Sequence, residues 1–405
     1  MLVAVVSFNL AQSRTPRLAA LAQAAAAAPF DVLAVAVQEL APFAEQMRRS
    51  HATRLSPAMR RVVAAFDCEL AAAAACVAAL EHGAVGLAVW VRPASICAKA
   101  SADPVCAMAS TDPVCAMAST DPVCAKAGLG PLGASSKAAV AAALRLGRST
   151  VAFVSAHLPA GAGPAASAAR NRAFRAAAAR LDLGAGRSLF DCDAVFFAGD
   201  LNYRALGCRA LSPADDELAS AISANAAFPA FSESAVAFAP TYKLATYNLA
   251  AYNLPTYNLP TYDPRRQPAW CDRILTYTRR RAAAPLIAAW HAARDGPSSA
   301  TTLSRDNNPS SATTLCMPES AAATCLRYWS LPIAGSDHLP VFARFRLDLP
   351  RLLPRDAAVG IPAVADPLRP CYHALGFVAD RSAGAVHLAL TDPSALLALL
   401  LTLML

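Results

Sequence analysis

The stretch DAVFFAGDLNYR, residues 193–204, decides the fold. A short, nearly continuous apolar run enters Gly199 and stops on Asp200, with Asn202 two residues later. A run of that length, rich in Val and Phe and closed by turn formers, predicts a buried strand. Its polar residues sit at the strand end, where layered α/β proteins build their sites. The same pattern recurs along the chain. Apolar runs cover 2–8, 31–38, 84–91, 149–156, 272–278 and 340–347. The first leads into Asn9, the second into Gln38 and Glu39, and the fourth into His157. The run at 272 opens on Asp272, and the last is preceded by Ser336, Asp337 and His338. Ala- and Arg-rich helical stretches at 17–28 and 165–181 lie between strands, which argues for an α/β layered fold.

With 405 residues the chain is long enough for one large domain or two ordinary ones. Its residues are 56% hydrophobic, but much of that is Ala, so burial depends on the Val, Leu, Ile and Phe runs. The formal net charge of +8 comes almost entirely from Arg, because Lys99, Lys126, Lys137 and Lys243 are the only lysines. That balance suits phosphate-bearing partners or an anionic membrane face. GC-rich codons produce the same bias, so bulk composition alone selects no function. Twelve Cys without a CxxC pair, and no visible leader at the N-terminus, lead us to expect reduced thiols in the cytoplasm. The terminal ALLALLLTLML is shorter than the ~20 residues a membrane-spanning helix needs.

Three segments look inserted, near 97–134, 244–262 and 295–325. They carry a DPVCAMAST repeat, TYNL variants and two copies of PSSATTL. All are short, Pro-punctuated and too few to stack as a solenoid. They are expected to be surface loops or disorder. Residues 1–347 are expected to form the catalytic domain, and 348–405 a Pro-rich linker with an apolar tail.

The residues at the strand ends suit hydrolysis of a phosphate ester. Glu39 is a hard oxygen ligand for Mg²⁺, which takes few carboxylates and keeps several waters. Asn9 can add a neutral oxygen to that shell or hold the ligating Glu. Asp200 can orient and deprotonate an attacking water. Asn202, His157 and His338 can donate hydrogen bonds to the phosphoryl oxygens. Asp272 can hold His338 in one tautomer and favour its protonated form.

The strings GDLNYR (199–204), PAWCDRIL (268–275) and GSDHLPV (335–341) resemble those of the inositol polyphosphate 5-phosphatases. These are Mg²⁺-dependent enzymes of the endonuclease/exonuclease/phosphatase superfamily. The resemblance implies a DNase I-like four-layer sandwich, two packed, mostly antiparallel β-sheets flanked by helices. It assigns Glu39 to the metal and Asp337 to the water network on the metal side. It gives His157 and Asn202 to the scissile phosphate, Asp200 to the water, and Asp272 with His338 to the catalytic pair. PTYKL resembles the family's PTYKYD, which puts Tyr242 and Lys243 on a neighbouring ring phosphate, with Arg265 or Arg266 adding to the clamp. Arg170 and Asn171 match an RN pair that follows the His motif. Lys137 stands in SSKAAV, where the family has GNKGAV, and SFNLAQ keeps the first Asn of a WNVNG-like strand but not its second Asn or its Gly.

The implied activity is removal of the 5-phosphate from phosphoinositides or soluble inositol polyphosphates by a monomeric catalytic domain peripheral to the cytosolic membrane face. A phosphodiesterase or nuclease of the same superfamily shares the core residues, but PTYKL and PAWCDRIL favour the phosphatase branch and disfavour nucleic acid. A binding-only relative is the other alternative.

Overall fold

The structure is a computed structural model. It describes residues 1–12, 17–42, 45–46, 54–92, 118–130, 133–146, 149–205, 215–245, 262–279, 284–292, 322–333, 335–349 and 375–383. In chain order the elements begin with β1 (Leu2–Asn9), α1 (Leu18–Ala26), β2 (Val32–Gln38), α2 (Pro57–Leu70), β3 (Ala75–His82) and β4 (Val85–Val91). They continue with β5 (Ala118–Gly128), β6 (Ala138–Leu146), β7 (Ser149–His157), α3 (Pro164–Arg180), β8 (Ala194–Asp200), α4 (Glu217–Ser223) and β9 (Ser232–Glu233). The rest are β10 (Asp272–Thr278), α5 (Ala284–Ala292), β11 (Ala322–Ser330) and β12 (Val341–Asp348). A last helix, α6, covers 375–383.

The strands form two six-stranded sheets, ordered β11-β12-β1-β2-β4-β3 and β5-β6-β7-β8-β10-β9. Each sheet holds one parallel pair, β1 with β2 and β7 with β8, and its other pairings are antiparallel. A parallel pair needs a crossover, and α1 and α3 supply one in each sheet. The fold is thus built on two βαβ units whose strands end at a common edge.

Alternation along the strands makes three cores. In β7, Val151 and Phe153 face the other sheet, where they meet Val3, Val5, Ala36 and Val89. Ala152, Val154 and Ala156 face outward onto Phe174 and Ala177 of α3. On the far side, Val35 and Trp90 pack under Leu21 of α1 and Met59 and Phe66 of α2. The result is the expected four-layer helix–sheet–sheet–helix sandwich. Alanine strands leave volume, and rings fill it: Phe174 lies 3.9 Å from Phe228 and 5.6 Å from Phe197, centroid to centroid. Burying each such ring contributes about 1.5–3 kcal/mol.

The Gly in FFAGD has a backbone reason. Gly199 pairs with Ala156, its φ is 152°, and a Cβ there would lie 1.9 Å from the Ala156 carbonyl oxygen. A side chain at this position would push β7 and β8 apart just before their site residues.

The expectation that all three inserted segments are loops or disorder needs correction at two edges. Residues 118–128 form β5, an edge strand in which the last DPVC copy sits at a register shift between Ser119 and Val123. A Pro at a bulge on an edge strand costs no ladder bond the sheet needs. Residues 322–325 likewise begin β11. The remaining repeats, 93–117, 246–261 and 293–321, lie outside the described residues. So do 350–374 and 384–405 of the expected linker and tail, but 375–383 is helical. Among the described residues no helix is long and apolar enough to cross a membrane.

Candidate active site

Strand register brings the polar strand ends together. His157 is the partner of Asp200 across β7 and β8, and Asp200 is the partner of Asp272 across β8 and β10. Ala138 pairs with His157, so Lys137 enters the same row from β6. In the facing sheet, Asn9 pairs with Gln38 at the ends of β1 and β2. Side-chain bonds close the gap between sheets: Asn9 Nδ2 donates to Asp200 Oδ2 at 2.9 Å and Gln38 Nε2 to the Ser155 hydroxyl at 3.2 Å.

Around Asp200 the charges are dense and buried. Its Oδ2 lies 3.3 Å from His157 Nε2 and 3.9 Å from His338 Nε2. Lys137 Nζ is 2.6 Å from His157 Nε2. Burial alone would raise the Asp200 carboxyl, but His157, His338 and Lys137 outweigh it and hold it well below the usual carboxylate range. Burial lowers Lys137, against Asp200 and Glu39. Burial, and then Lys137, lowers His157, which favours its neutral form. Asp200 Oδ1 accepts the Asn202 N–H at 3.1 Å, and Asn202 donates its own amide to the Leu158 carbonyl at 3.1 Å.

The second histidine sits in an acidic frame. His338 Nδ1 and Asp272 Oδ2 are 2.8 Å apart, and the same oxygen accepts the Thr241 hydroxyl at 2.7 Å. Burial would depress His338, but Asp272, Asp200 and Asp337 lift it to about 9. Burial raises Asp272, against His338. Ser336 holds the loop: its hydroxyl donates to the Asn9 carbonyl at 2.6 Å and accepts the His338 N–H at 3.0 Å. The PTYKL segment is laced to the same loop through Leu244 N–H to Asp337 O and Leu339 N–H to Thr241 O, both 2.9 Å. Tyr242 rests on His338, ring centroids 4.6 Å apart.

Two site residues hold left-handed backbone, Glu39 at φ 51° and Asn202 at φ 58°. Strain of this kind in non-glycine residues collects at functional positions. The Glu39 side chain is 30% exposed and its Oε1 lies 4.0 Å from His157 Nε2.

Four of the expected site residues have partners that the sequence did not specify. Asn9 donates its nitrogen to Asp200 and accepts the Ala11 N–H on Oδ1 at 2.9 Å, so it orients the carboxylate. Asp337 pairs with Lys243, Oδ2 to Nζ 3.4 Å, and adds to the acidic frame around His338. Arg170 touches no substrate space. It is wholly buried, donates to both Glu217 carboxylate oxygens at 2.8 and 2.6 Å, and reaches the carbonyls of Pro159 and Gly161. Because Glu217 Oε2 also accepts the Arg204 N–H at 2.8 Å, Arg170 braces the GDLNYR loop from behind. Asn171 accepts the Tyr203 hydroxyl at 2.7 Å and belongs to the same brace.

Arg265 and Arg266 are exposed on the rim beside Lys243, where Asp263 N–H donates to the Lys243 carbonyl. Arg265 is drawn toward Asp263, Nε to Oδ1 3.1 Å. Sequence reasoning missed Arg204 and Thr241. Arg204 donates to Asn202 Oδ1 at 2.6 Å and stacks 4.6 Å over Tyr242. The signal was there, since Arg204 closes GDLNYR and Thr241 opens TYKL.

The SSKAAV departure carries no backbone strain, for none of residues 135–140 has positive φ. The SFNLAQ departure does. Ala11 and Gln12 stand where the resembled pattern has Asn and Gly, and both are left-handed, at φ 48° and 57°. Gln12 N–H donates to the Glu39 carbonyl at 2.9 Å, so this turn supports Glu39. Gln12→Gly should therefore stabilise the protein by about 1 kcal/mol, the left-handed penalty of an L-residue less the chain entropy of glycine. Denaturant midpoints of the two proteins check it, and an unchanged or lowered midpoint would count against the strain.

Residues 6–344 match the family model for Endonuclease/Exonuclease/phosphatase family 2. Human Synaptojanin-1 is 31% identical over 226 residues, a match covering 53% of this chain and 13% of that protein. The type IV inositol polyphosphate 5-phosphatase 9 of Arabidopsis thaliana is 32% identical over 160 residues, covering 35% of this chain and 38% of that one. The chain thus spans well under two thirds of these curated relatives. A solved structure, the inositol polyphosphate 5-phosphatase domain of spSynaptojanin in complex with inositol (1,4)-bisphosphate and calcium ion, has a TM-score of 0.55 at 19% identity. That match covers 94% of this chain and 91% of the other, and it shows the fold alone. A family match that takes in every strand end described above settles the lineage: the chain belongs to endonuclease/exonuclease/phosphatase family 2 and resembles, within it, the inositol polyphosphate 5-phosphatases.

Proposed function

We propose that the chain is a Mg²⁺-dependent phosphomonoesterase that removes the 5-phosphate from phosphoinositides or soluble inositol polyphosphates. The observation that carries this is the Asp200 cluster, where the ends of two βαβ units meet. It sets an ionised carboxylate between two histidines and beside an ammonium, with Lys243 and arginines at the mouth.

The residues fit a hard cation that keeps its water. Among the described residues no three His, Cys, Asp or Glu side chains could together hold a metal. Mg²⁺ does not need such a cage, since one or two carboxylates and substrate oxygens suffice. Glu39 offers one partly exposed carboxylate beside the cluster. When bound, Mg²⁺ neutralises charge on the phosphoryl oxygens and aligns the ester.

The chain's own groups do the rest. Asp200, held by Asn9 and the Asn202 N–H, accepts a hydrogen bond from the attacking water and takes its proton as the water oxygen bonds to phosphorus; the P–O bond to the ring oxygen breaks in line, and the leaving alkoxide takes a proton from solvent. His338, kept charged by Asp272, presents Nε2–H to the phosphoryl oxygens, and Lys137 adds a second positive charge. No phosphoenzyme is required. Lys243, Arg265 and Arg266 supply cations for other ring phosphates, and Arg offers paired donors for that purpose. With the net charge of +8 they also favour contact with an anionic membrane face from the cytoplasm.

Phosphate release from phosphatidylinositol 4,5-bisphosphate and inositol 1,4,5-trisphosphate, with Mg²⁺ and with EDTA, tests the reading. Metal-dependent release is expected, and the two substrates rank lipid against soluble headgroup. Folded protein that releases no phosphate from either, yet cleaves a phosphodiester, would move the activity to the nuclease branch.

A further inference from the structure

Helix α6 lies beyond the residues that match the family, yet it reaches the site. Asp380 on this helix is fully buried. A buried carboxylate needs donors, and its Oδ1 accepts the Ser135 N–H at 2.9 Å. Ser135 is two residues before Lys137, and Lys137 Nζ is 2.6 Å from His157 Nε2.

Residues 133–137, which lead into β6, are held at three points. The neck of this turn is closed by the Leu129 N–H to the Lys137 carbonyl at 2.6 Å. On one flank the β3–β4 turn approaches so closely that a Cβ on Gly83 would lie 2.3 Å from the Ser135 carbonyl oxygen. On the other, a Cβ on Gly376 of α6 would lie 2.3 Å from the Gly133 carbonyl oxygen. The Gly376 approach brings α6 against the turn, and Asp380, about one helical turn on, supplies the directional bond. A lysine on a four-carbon stem has three donors and much rotamer freedom. Its placement against His157 therefore depends on how firmly the backbone beneath it is held.

We propose that Asp380 is a positioning residue that acts through Ser135 on Lys137, which makes α6 a working part of the catalytic unit. Its effect on turnover rests on the phosphatase reading above; its effect on Lys137 does not.

The test uses the full chain with Asp380→Ala, which removes the acceptor, and Asp380→Asn, which keeps one. The first readout is the rate at which acetic anhydride labels Lys137 relative to Lys126 and Lys243, followed by peptide mass. Asp380→Ala should raise the relative rate at Lys137 roughly threefold or more as the turn opens locally. Asp380→Asn should leave it near the unmodified protein. The second readout is turnover of inositol 1,4,5-trisphosphate, which Asp380→Ala should lower roughly 10- to 100-fold. In a Lys137→Ala background the same substitution should cause no further loss, a result that general destabilisation would not give. An equal loss in both backgrounds, or unchanged labelling of Lys137, would overturn the proposal. If the unmodified protein releases no phosphate, the activity reading fails and the labelling alone decides for or against Asp380. If Asp380→Ala does not fold, Asp380→Ser, too short to span to Ser135, takes its place with the same expected outcomes.

Discussion

Asp200→Asn is expected to lower Mg²⁺-dependent phosphate release by about 10²–10⁴-fold, the range a positioned general base contributes, with KM little changed. The substitution is nearly isosteric. The asparagine oxygen can still accept from the Asn9 amide, which in the native protein donates to Asp200 Oδ2 at 2.9 Å, although the new NH₂ then faces the Asn202 N–H that Oδ1 accepts. The negative charge is lost, and with it the acceptor for the proton of the attacking water. Asp200→Ala is the poorer probe. Both substitutions leave the Lys137 and His338 charges uncompensated in a buried site, a change that costs about 3–5 kcal/mol, and Asp200→Ala in addition leaves the Asn9 amide unpaired. Thermal unfolding beside the kinetics separates chemistry from packing, because Asp200→Asn should keep a higher Tm than Asp200→Ala while losing as much of its rate. Retention of activity within tenfold would remove Asp200 from the chemical step.

Much of this site was legible because apolar runs announce where they stop. His157, Asp200 and Asp272 each sit at a strand end, and β-register then sets them side by side. What sequence could not supply was direction. Arg170 and Asn171 follow a motif that points to substrate, but the helix that carries them passes behind the loop, so they meet Glu217 and Tyr203. Asn9 and Asp337 lie beside the strand-end residues. Their partners, Asp200 and Lys243, depend on how two sheets and two loops approach one another, which no local pattern encodes.

Elements were missed for a related reason. The β6 string AAVAAALRL and the β3 string ACVAALEH are alanine-rich, and alanine is the best helix former. They become strands because sheet pairing and burial override propensity. The last DPVC copy was likewise recruited as an edge strand although the repeat looks unstructured by itself. Asp380 lay in a tail with no motif around it, and only the tertiary contact with Ser135 makes it visible.

Asp272→Asn tests the other half of the site through pH. Asp272 is the principal charge opposing the effect of burial on His338, which stands at about 9 instead of the usual 6.5. With asparagine in its place, burial is left opposed by Asp200 and Asp337 alone, and the His338 value should fall by at least about one unit. Between the lowered value and about 9 the imidazole then loses its charge, and the lost orientation of its ring adds to the effect, so release should drop by about 10²–10⁴-fold, most steeply on the alkaline side. The alkaline limb of the rate profile, expected near pH 9 in the native protein, should move toward neutrality. Stability should follow the same proton. A histidine whose folded value lies above its unfolded one contributes stability that is fully present below pH 6.5 and is lost as pH rises through about 9. The native protein should therefore lose Tm between pH 6.5 and 9.5, and Asp272→Asn should lose less over that window. Because the two groups titrate as a pair, the limb reports the dyad rather than either residue. An alkaline limb that does not move in Asp272→Asn would mean that another group sets it, and His338 would lose its assignment as the charged donor.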